Sequence, residues 1–295
     1  MRNSKLPGLL SALTLAAAAP SPAQSGPVSV PFTTNRDAMV IIPATVAGTM
    51  AVHLIFDTGA GLDILAPSII RAAHGTRAGE FHGTRMTGER VDIPLFTLPD
   101  LTVGPMTTKH AVVGGWDVLD SLHVDGIVSV NRFRRRPVTI DFADTVVTFE
   151  TSQSLARRRA AGPSVPLRLD DLGGQALDLF AQFRIDNHPG ACEIDTGSYS
   201  ATIHARYLPL LGVRPGDTNV VKRERHTIAG ATQITYSAGV RTIALAGTPN
   251  IAQAGPRVAF SDIIYDCVIG NEFWRGRIVT FDIAGRTLTV SGPKG

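Results

Sequence analysis

The chain has 295 residues, of which 44% are hydrophobic and 18% are charged. It is therefore long enough for one large domain or for two domains of roughly 130 residues each. Its formal net charge of +3 falls to +1 once Arg2 and Lys5 of the N-terminal segment are left out. A chain this close to neutral gives no electrostatic reason to expect a nucleic-acid partner.

The first segment, residues 1–23, is typical of a secretory signal peptide. Arg2 and Lys5 precede a short apolar run from Leu9 to Ala19, and small residues lead to a predicted cleavage site near Ala23. The run is too short to span roughly 30 Å of hydrocarbon. We therefore expect the protein to be exported to the periplasm or the extracellular space, with no membrane span after the signal is removed.

The rest of the chain is rich in short strand patterns and poor in helix patterns, which favours an all-β fold. In chain order we predict a strand at 52–56, a short helix at 67–73, a hairpin at 138–149, a linker at 151–163 with one helical turn, a short helix at 204–211, a strand at 242–245 and a hairpin at 279–290. The arginine runs 134–136 and 157–159 are interpreted as solvated faces.

The sequence repeats itself. Three blocks recur in the same order, at offsets of 138, 141 and 141 residues. The block pairs are Leu54–Ala60 with Cys192–Ser198, Asp125–Ser129 with Asp266–Gly270, and Val138–Phe142 with Val279–Ile283. The repeat predicts two all-β, barrel-like lobes related by a pseudo-two-fold axis, an N-terminal lobe at 27–150 and a C-terminal lobe at 164–295.

Each copy of the first block contains Asp-Thr-Gly after an apolar residue. One copy alone is explained by a tight turn in which glycine adopts a positive φ. Two copies at equivalent places suggest that a pseudo-two-fold axis brings Asp57 beside Asp195. Neighbouring carboxylates do not both ionise easily, so the pair shares a proton and is suited to activating a water molecule. We expect Gly59 and Gly197 to donate N–H groups to these carboxylates.

These motifs resemble the pepsin and retropepsin group of aspartic peptidases, and most of all bacterial retropepsin-like proteins with two fused lobes. Asp57-Thr58-Gly59-Ala60 is similar to the retroviral form of the motif, and Asp195-Thr196-Gly197-Ser198 to the pepsin form. The resemblance implies that Thr58 and Thr196 hydrogen-bond across the lobe interface. It also implies an aspartic endopeptidase that needs neither cofactor nor metal, acts on peptides or proteins, and works as a monomer.

The resemblance further implies a flap hairpin over the cleft, and two segments fit that role. The first contains Met86, Thr87 and Gly88, and the second contains Ala229 and Gly230. The tyrosine that pepsin-like enzymes keep in the first flap is absent here, which favours a retropepsin-like architecture.

Family members also have an apolar-apolar-Gly strand beside each catalytic loop. Val268-Ile269-Gly270 matches that pattern, whereas Ile127-Val128-Ser129 has serine in place of glycine. The Cβ of Ser129 is expected to crowd and shift the loop of Asp57. This departure supports the rival interpretation, a peptide-binding relative with a retained cleft and weak or no catalysis.

Two finer expectations concern the second motif. The hydroxyl of Ser198 is expected to hydrogen-bond to Asp195 and favour its ionised form, which would leave the proton on Asp57. Cys192 and Cys267 lie on strands that are neighbours in the family. Either a disulfide or two buried free thiols is compatible with the sequence, and the strict geometry of a disulfide favours the thiols.

Other site types lack their signatures. The eight histidines show no metal-ligand spacing, and the segment 197–201 lacks the second glycine of a serine-hydrolase elbow. A third possibility is that each lobe pairs with its equivalent in a second copy of the chain. The sequence does not specify the substrate, the pH optimum, or whether a pro-segment within 24–35 is removed.

Overall fold

The computed structural model describes residues 26–35, 38–226 and 232–292. The predicted signal peptide at 1–23 lies outside these residues. Strands account for most of the regular structure, and the strands of the first half are β1 (Val28–Pro31), β2 (Thr33–Thr34), β3 (Val40–Val46), β4 (Met50–Asp57), β5 (Ile64–Leu65), β6 (Thr76–Thr84), β7 (Arg90–Thr97), β8 (Asp100–Val103), β9 (Met106–Lys109), β10 (Val112–Gly115), β11 (Gly126–Ser129), β12 (Val138–Asp141) and β13 (Val146–Phe149).

The second half repeats this series. Its strands are β14 (Ser164–Pro166), β15 (Arg168–Leu172), β16 (Ala176–Ile185), β17 (His188–Ile194), β18 (Thr202–His204), β19 (Val221–His226), β20 (Thr232–Gly239), β21 (Thr242–Leu245), β22 (Ala252–Ala254), β23 (Arg257–Ser261), β24 (Cys267–Ile269), β25 (Ile278–Asp282) and β26 (Thr287–Ser291). The α-helices of the described residues are short: α1 (Pro67–Ala72), α2 (Asp117–Leu122), α3 (Ser152–Ala160) and α4 (Asn271–Trp274).

The strand order of the two lobes is the same. One sheet runs β6-β7-β10-β5-β11-β4-β3-β8-β9 with β2 against β3, and the other runs β19-β20-β23-β18-β24-β17-β16-β21-β22 with β15 against β16. Adding thirteen to each strand number of the first sheet gives the second. The prediction of an all-β protein built from two equivalent lobes is thus confirmed.

A third sheet joins the lobes, in the order β1-β13-β12-β25-β26-β14. At its centre β12 and β25 pair antiparallel, with Thr139 opposite Thr280. These two residues are equivalent in the repeat, and their hydroxyl oxygens lie 2.8 Å apart. Contact between equivalent residues occurs only near a two-fold axis, so the pseudo-two-fold axis passes between Thr139 and Thr280.

The second repeated block is explained by hydrogen bonds that recur in each lobe. The carboxylate of Asp125 accepts from the backbone N–H of His53 at 2.8 Å, and that of Asp266 accepts from the N–H of Ala191 at 2.8 Å. Each of these aspartates therefore fixes a strand that leads to an Asp-Thr-Gly loop, because His53 lies on β4 and Ala191 on β17.

The predicted hairpins at 138–149 and 279–290, the strands at 52–56 and 242–245, and the helix at 67–73 are all present. The predicted helix at 204–211 is wrong, since only a 3-10 turn at Ala205–Tyr207 forms there. Pro209 has no N–H to continue a helical ladder. The linker is more helical than predicted, because α3 extends over nine residues and begins with a capping box at Thr151.

The interpretation of the arginine runs as solvated faces is right only in part: Arg135, Arg157 and Arg159 are exposed, but two arginines of the second run also bond to buried carboxylates. Arg158 donates to Glu150 at 2.8 Å, and Arg159 is bonded to Asp282. Both carboxylates are nearly inaccessible to solvent and need a cationic partner. Among the described residues, we find no helix with the length and apolarity needed to cross a membrane.

Candidate active site

The two Asp-Thr-Gly loops begin where β4 and β17 end, in the middle of their sheets. β11 runs parallel to β4, with Ser129 beside Asp57, and β24 runs parallel to β17. The residues of these strands nearest to the loops are buried on both faces, which explains apolar runs such as Leu54-Ile55-Phe56 on β4 and Cys267-Val268-Ile269 on β24. The loops emerge from these strands and meet at the pseudo-two-fold axis.

The threonines of the two motifs hold the loops together through four reciprocal hydrogen bonds. The Thr58 hydroxyl donates to the Ile194 carbonyl at 2.6 Å and accepts from the Thr196 N–H at 3.1 Å. The Thr196 hydroxyl donates to the Phe56 carbonyl at 2.6 Å and accepts from the Thr58 N–H at 3.0 Å. Both threonines are completely buried. The geometry agrees with the role that the resemblance implied for them.

The glycines of the motif are needed for space rather than for a positive φ. A Cβ on Gly59 would lie 2.7 Å from the Asp195 Cγ, and a Cβ on Gly197 would lie 2.2 Å from the Asp57 Oδ2. Each glycine therefore makes room for the carboxyl group of the other lobe. Neither residue is among those with positive φ, so the simple turn interpretation does not account for them.

The carboxyl groups of Asp57 and Asp195 interact directly on the floor of the cleft. The Asp57 Oδ1 accepts from the N–H groups of Gly59 at 2.8 Å and Ala60 at 3.1 Å. Burial raises the pKa of Asp57 well above its ordinary value, and the charge of Asp195 and a hydrogen bond to it add to the effect. In this arrangement Asp57 is the member of the pair that carries the proton.

Asp195 is held differently. Its Oδ1 accepts from the Gly197 N–H at 2.8 Å, and its Oδ2 accepts from the Ser198 hydroxyl at 2.6 Å. The first motif has no equivalent hydroxyl because Ala60 stands at that position. The expected bond between Ser198 and Asp195 is therefore present.

Ser129 does not crowd the loop of Asp57 as expected. Its hydroxyl is bonded to the Ala60 carbonyl and accepts from the Asn131 N–H at 3.0 Å. In the other lobe a Cβ on Gly270 would lie 2.5 Å from the Tyr199 carbonyl oxygen. The first loop thus leaves room for a serine and is tied down by it, whereas the second loop requires glycine.

The cleft has a volume of about 800 Å³ and is lined by both lobes. The β6–β7 hairpin covers it, and Gly88 in its turn has a φ of +82°. Met86 lines the cleft, and its carbonyl accepts from the Ile264 N–H of the opposite lobe at 2.8 Å. Thr87 bonds to Glu89 at 2.9 Å, away from the cleft lining. The first predicted flap segment is therefore the roof of the cleft.

The second flap segment is only partly described. β19 and β20 form an antiparallel hairpin with His226 opposite Thr232. Its predicted tip residues, Ala229 and Gly230, lie outside the described residues.

The two cysteines form a disulfide, so the favoured expectation of free thiols was wrong. Cys192 and Cys267 are directly opposite each other on β17 and β24, and their Cα atoms are 4.5 Å apart. The bond therefore joins the strand that leads to Asp195 to its neighbour.

The polar cleft residues Asp170, Asp178, Glu193 and Tyr265 were not predicted from the sequence. Glu193 precedes Asp195 by two residues, and residues two apart on a strand face the same side. A glutamate inside an otherwise apolar strand was the available signal. Within the described ranges, no group of three or more His, Cys, Asp or Glu side chains is arranged to hold a metal ion.

Comparison with known proteins gives a fold but no family. No protein-family model matches the chain, and no curated protein matches it. Among solved structures it is similar to conglutin gamma, a basic 7S globulin from lupine seeds, at 10% identity and a TM-score of 0.52 over 91% of this chain and 95% of that one. It is also similar to the basic 7S globulin from soybean, at 12% identity and a TM-score of 0.51 over 90% and 95%. The chain has the same two-lobed, pepsin-like fold.

Proposed function

We propose that this chain is an aspartic endopeptidase, in which Asp57 and Asp195 activate a water molecule for attack on a peptide bond. The observation that supports the proposal is that equivalent loops bring two carboxyl groups against the same glycine, since Gly59 donates to Asp57 and a Cβ on Gly59 would lie 2.7 Å from the Asp195 Cγ, on the lining of a cleft of about 800 Å³. A protonated and an ionised carboxyl side by side form a general acid and a general base.

The roles follow from the surroundings of each carboxyl. Asp195, which accepts a hydrogen bond from Ser198, takes a proton from the water as the oxygen attacks the carbonyl carbon. Asp57 gives its proton to the carbonyl oxygen, producing a diol. Transfer of the proton from Asp195 to the amide nitrogen breaks the C–N bond, and Asp57 recovers a proton from the diol as the new carboxyl group forms.

The second candidate function is a peptide-binding protein with a retained cleft and weak or no catalysis. The comparisons favour this alternative, because both similar structures are named as globulins of seeds and neither is named as a peptidase. Against it stand the carboxyl pair and its complete set of supporting hydrogen bonds. Ser129 fits beside the loop of Asp57, so this residue no longer supports the alternative function.

Digestion of a peptide library, followed by mass spectrometry, separates the two functions. The wild type is expected to cleave, and Asp57→Asn and Asp195→Asn are each expected to lose roughly three orders of magnitude or more in rate, because each removes one half of the acid–base pair. Asp144→Asn is the control, since this exposed side chain lies in the β12–β13 turn, away from the cleft.

A statine-type inhibitor should block the wild-type activity. Binding of library peptides without cleavage by the wild type would establish the alternative. We further propose that the protein is exported and acts as a monomer, because the two lobes already complete one site. Mass spectrometry of the mature N-terminus and a sizing column test these two points.

A further inference from the structure

The cleft has one acidic wall, and it belongs to the C-terminal lobe. In the register of β16 and β17, Phe180 is opposite Glu193, so the next residues on that face are Asp178 and Asp195. On the other side of β16, Asp178 is opposite Asp170. All four carboxyl groups line the cleft.

Apart from polar residues of the flap such as Arg85 and Arg90, the equivalent wall of the N-terminal lobe is apolar. The repeat places Ile55 at the position of Glu193, and Ile55 is opposite Ile41 on β3. The cleft on this side is lined by hydrophobic side chains, namely Leu62, Ile64, Phe81, Ile93, Trp116 and Ile127. The asymmetry therefore arises from substitutions within a shared framework and not from a different fold.

Glu193 is the group that points to a ligand. It is only 4% exposed and lines the cleft, yet its carboxyl group has no hydrogen-bond or ion-pair partner among the residues that the structure describes. A buried carboxyl without a partner lowers the stability of a protein unless something else compensates for it. Repulsion from Asp178 and Asp195 adds to this cost.

The cations nearest to the cleft are already engaged. Arg85 on the flap lies over the ring of Trp116, at 5.4 Å, and Arg90 donates to Asp92 at 2.9 Å. Arg168 stacks on Phe180 at 4.0 Å and forms an ion pair with Asp170 at 3.7 Å. Among the described residues, none of these three arginines forms an ion pair with Glu193 or Asp178, so these two carboxyl groups can receive a cation from outside the protein.

We propose that the wall formed by Glu193 and Asp178 binds a lysine or arginine side chain of the substrate, while the opposite wall binds an apolar side chain on the other side of the scissile bond. This inference rests on the proposed function and adds the class of substrate to it. Glu193 is one same-face step, about 7 Å, from Asp195. In an extended peptide this distance spans about two residues, so the basic side chain belongs to the residues next to the scissile bond.

The test uses two synthetic peptides that differ at one position, lysine or its neutral analogue norleucine, placed where the library digest shows the basic preference. The readout is the ratio of kcat/KM for the two peptides within each protein variant. We expect the wild type to favour lysine by roughly tenfold or more, because the pair formed in the cleft is largely desolvated. Glu193→Gln, which keeps size and shape, should remove most of that preference.

Asp178→Asn is the second variant and should lower the same ratio, which keeps the inference testable if Glu193→Gln does not fold. Asp144→Asn, which changes the charge by the same amount away from the cleft, should leave the ratio at the wild-type value. An unchanged ratio in both cleft variants, or a wild type that favours norleucine, would overturn the inference.

Failure of the proposed function gives a different result. If the wild type cleaves neither peptide, their binding to the intact chain is measured by fluorescence anisotropy. Tighter binding of the lysine peptide, lost in Glu193→Gln, would support the acidic wall as a binding site in a non-catalytic protein. Equal binding of both peptides would refute the basic-side-chain inference as well.

Discussion

Replacement of Thr58 by valine tests the structural premise of the site, the connection between the two catalytic loops. The substitution removes the hydroxyl that donates to the Ile194 carbonyl at 2.6 Å and accepts from the Thr196 N–H at 3.1 Å. A buried polar group that loses its partner costs about 1–3 kcal/mol. Two such groups predict a decrease of about 2–6 kcal/mol in the free energy of unfolding.

The measurement is chemical denaturation followed by tryptophan fluorescence. Thr196→Val is expected to give a similar loss, because its hydroxyl makes the equivalent two bonds to the first lobe. Thr76→Val is the matched control, since Thr76 is an exposed strand residue. If Thr58→Val costs no more than this control, the interlocked threonines do not hold the lobes together and the account of the site is wrong.

Three further outcomes are expected. Gly197→Ala should abolish cleavage while the protein still folds, because the Cβ of the new alanine would lie 2.2 Å from the Asp57 Oδ2. A peptide-cleavage assay measures the loss of activity, and a circular-dichroism melt shows whether the variant is folded. The pKa of Asp178 is raised from 3.8 to about 6, first by burial and then by the charge of a neighbouring aspartate. Its contribution to the free energy of unfolding is therefore fully present below about pH 4 and is lost as the pH rises through 6. The free energy of unfolding of Asp178→Asn, measured relative to that of the wild type, should therefore rise by roughly 3 kcal/mol between about pH 4 and pH 7. The same difference between the two proteins at both pH values would contradict this. Reduction of the bond between Cys192 and Cys267, which are 75 residues apart, should lower the free energy of unfolding by about 4 kcal/mol; an unaltered denaturation midpoint in dithiothreitol would be the contrary result.

The sequence predicted the symmetric part of the molecule well because the symmetry of the two lobes appears in the sequence as repeated residues. Asp57 and Asp195 were identified from one repeated tripeptide, and the repeated Asp125 and Asp266 marked strands that the structure shows to be fixed by equivalent bonds. Local patterns also sufficed for the hairpins, where β-branched residues flank short turns.

What the sequence did not predict depends on contacts between distant residues. The disulfide needs β17 and β24 in one particular register, which the spacing of Cys192 and Cys267 does not reveal. The fit of Ser129 depends on the path of the loop that contains Ala60. Glu193 was not predicted because the repeat was identified from the positions at which the two halves of the sequence match, and Glu193 lies at a position at which they differ.

The bond between Met86 and Ile264 joins the roof of the cleft to the opposite lobe, main chain to main chain. On the proposed function, a polypeptide that displaces the Ile264 N–H has to offer one of its own N–H groups to the Met86 carbonyl. Only a segment with unpaired main-chain groups can make that exchange, as in recognition by strand addition. On the proposed function, this exchange would favour chain ends, exposed loops and unfolded chains over segments whose main-chain groups are already paired in regular secondary structure.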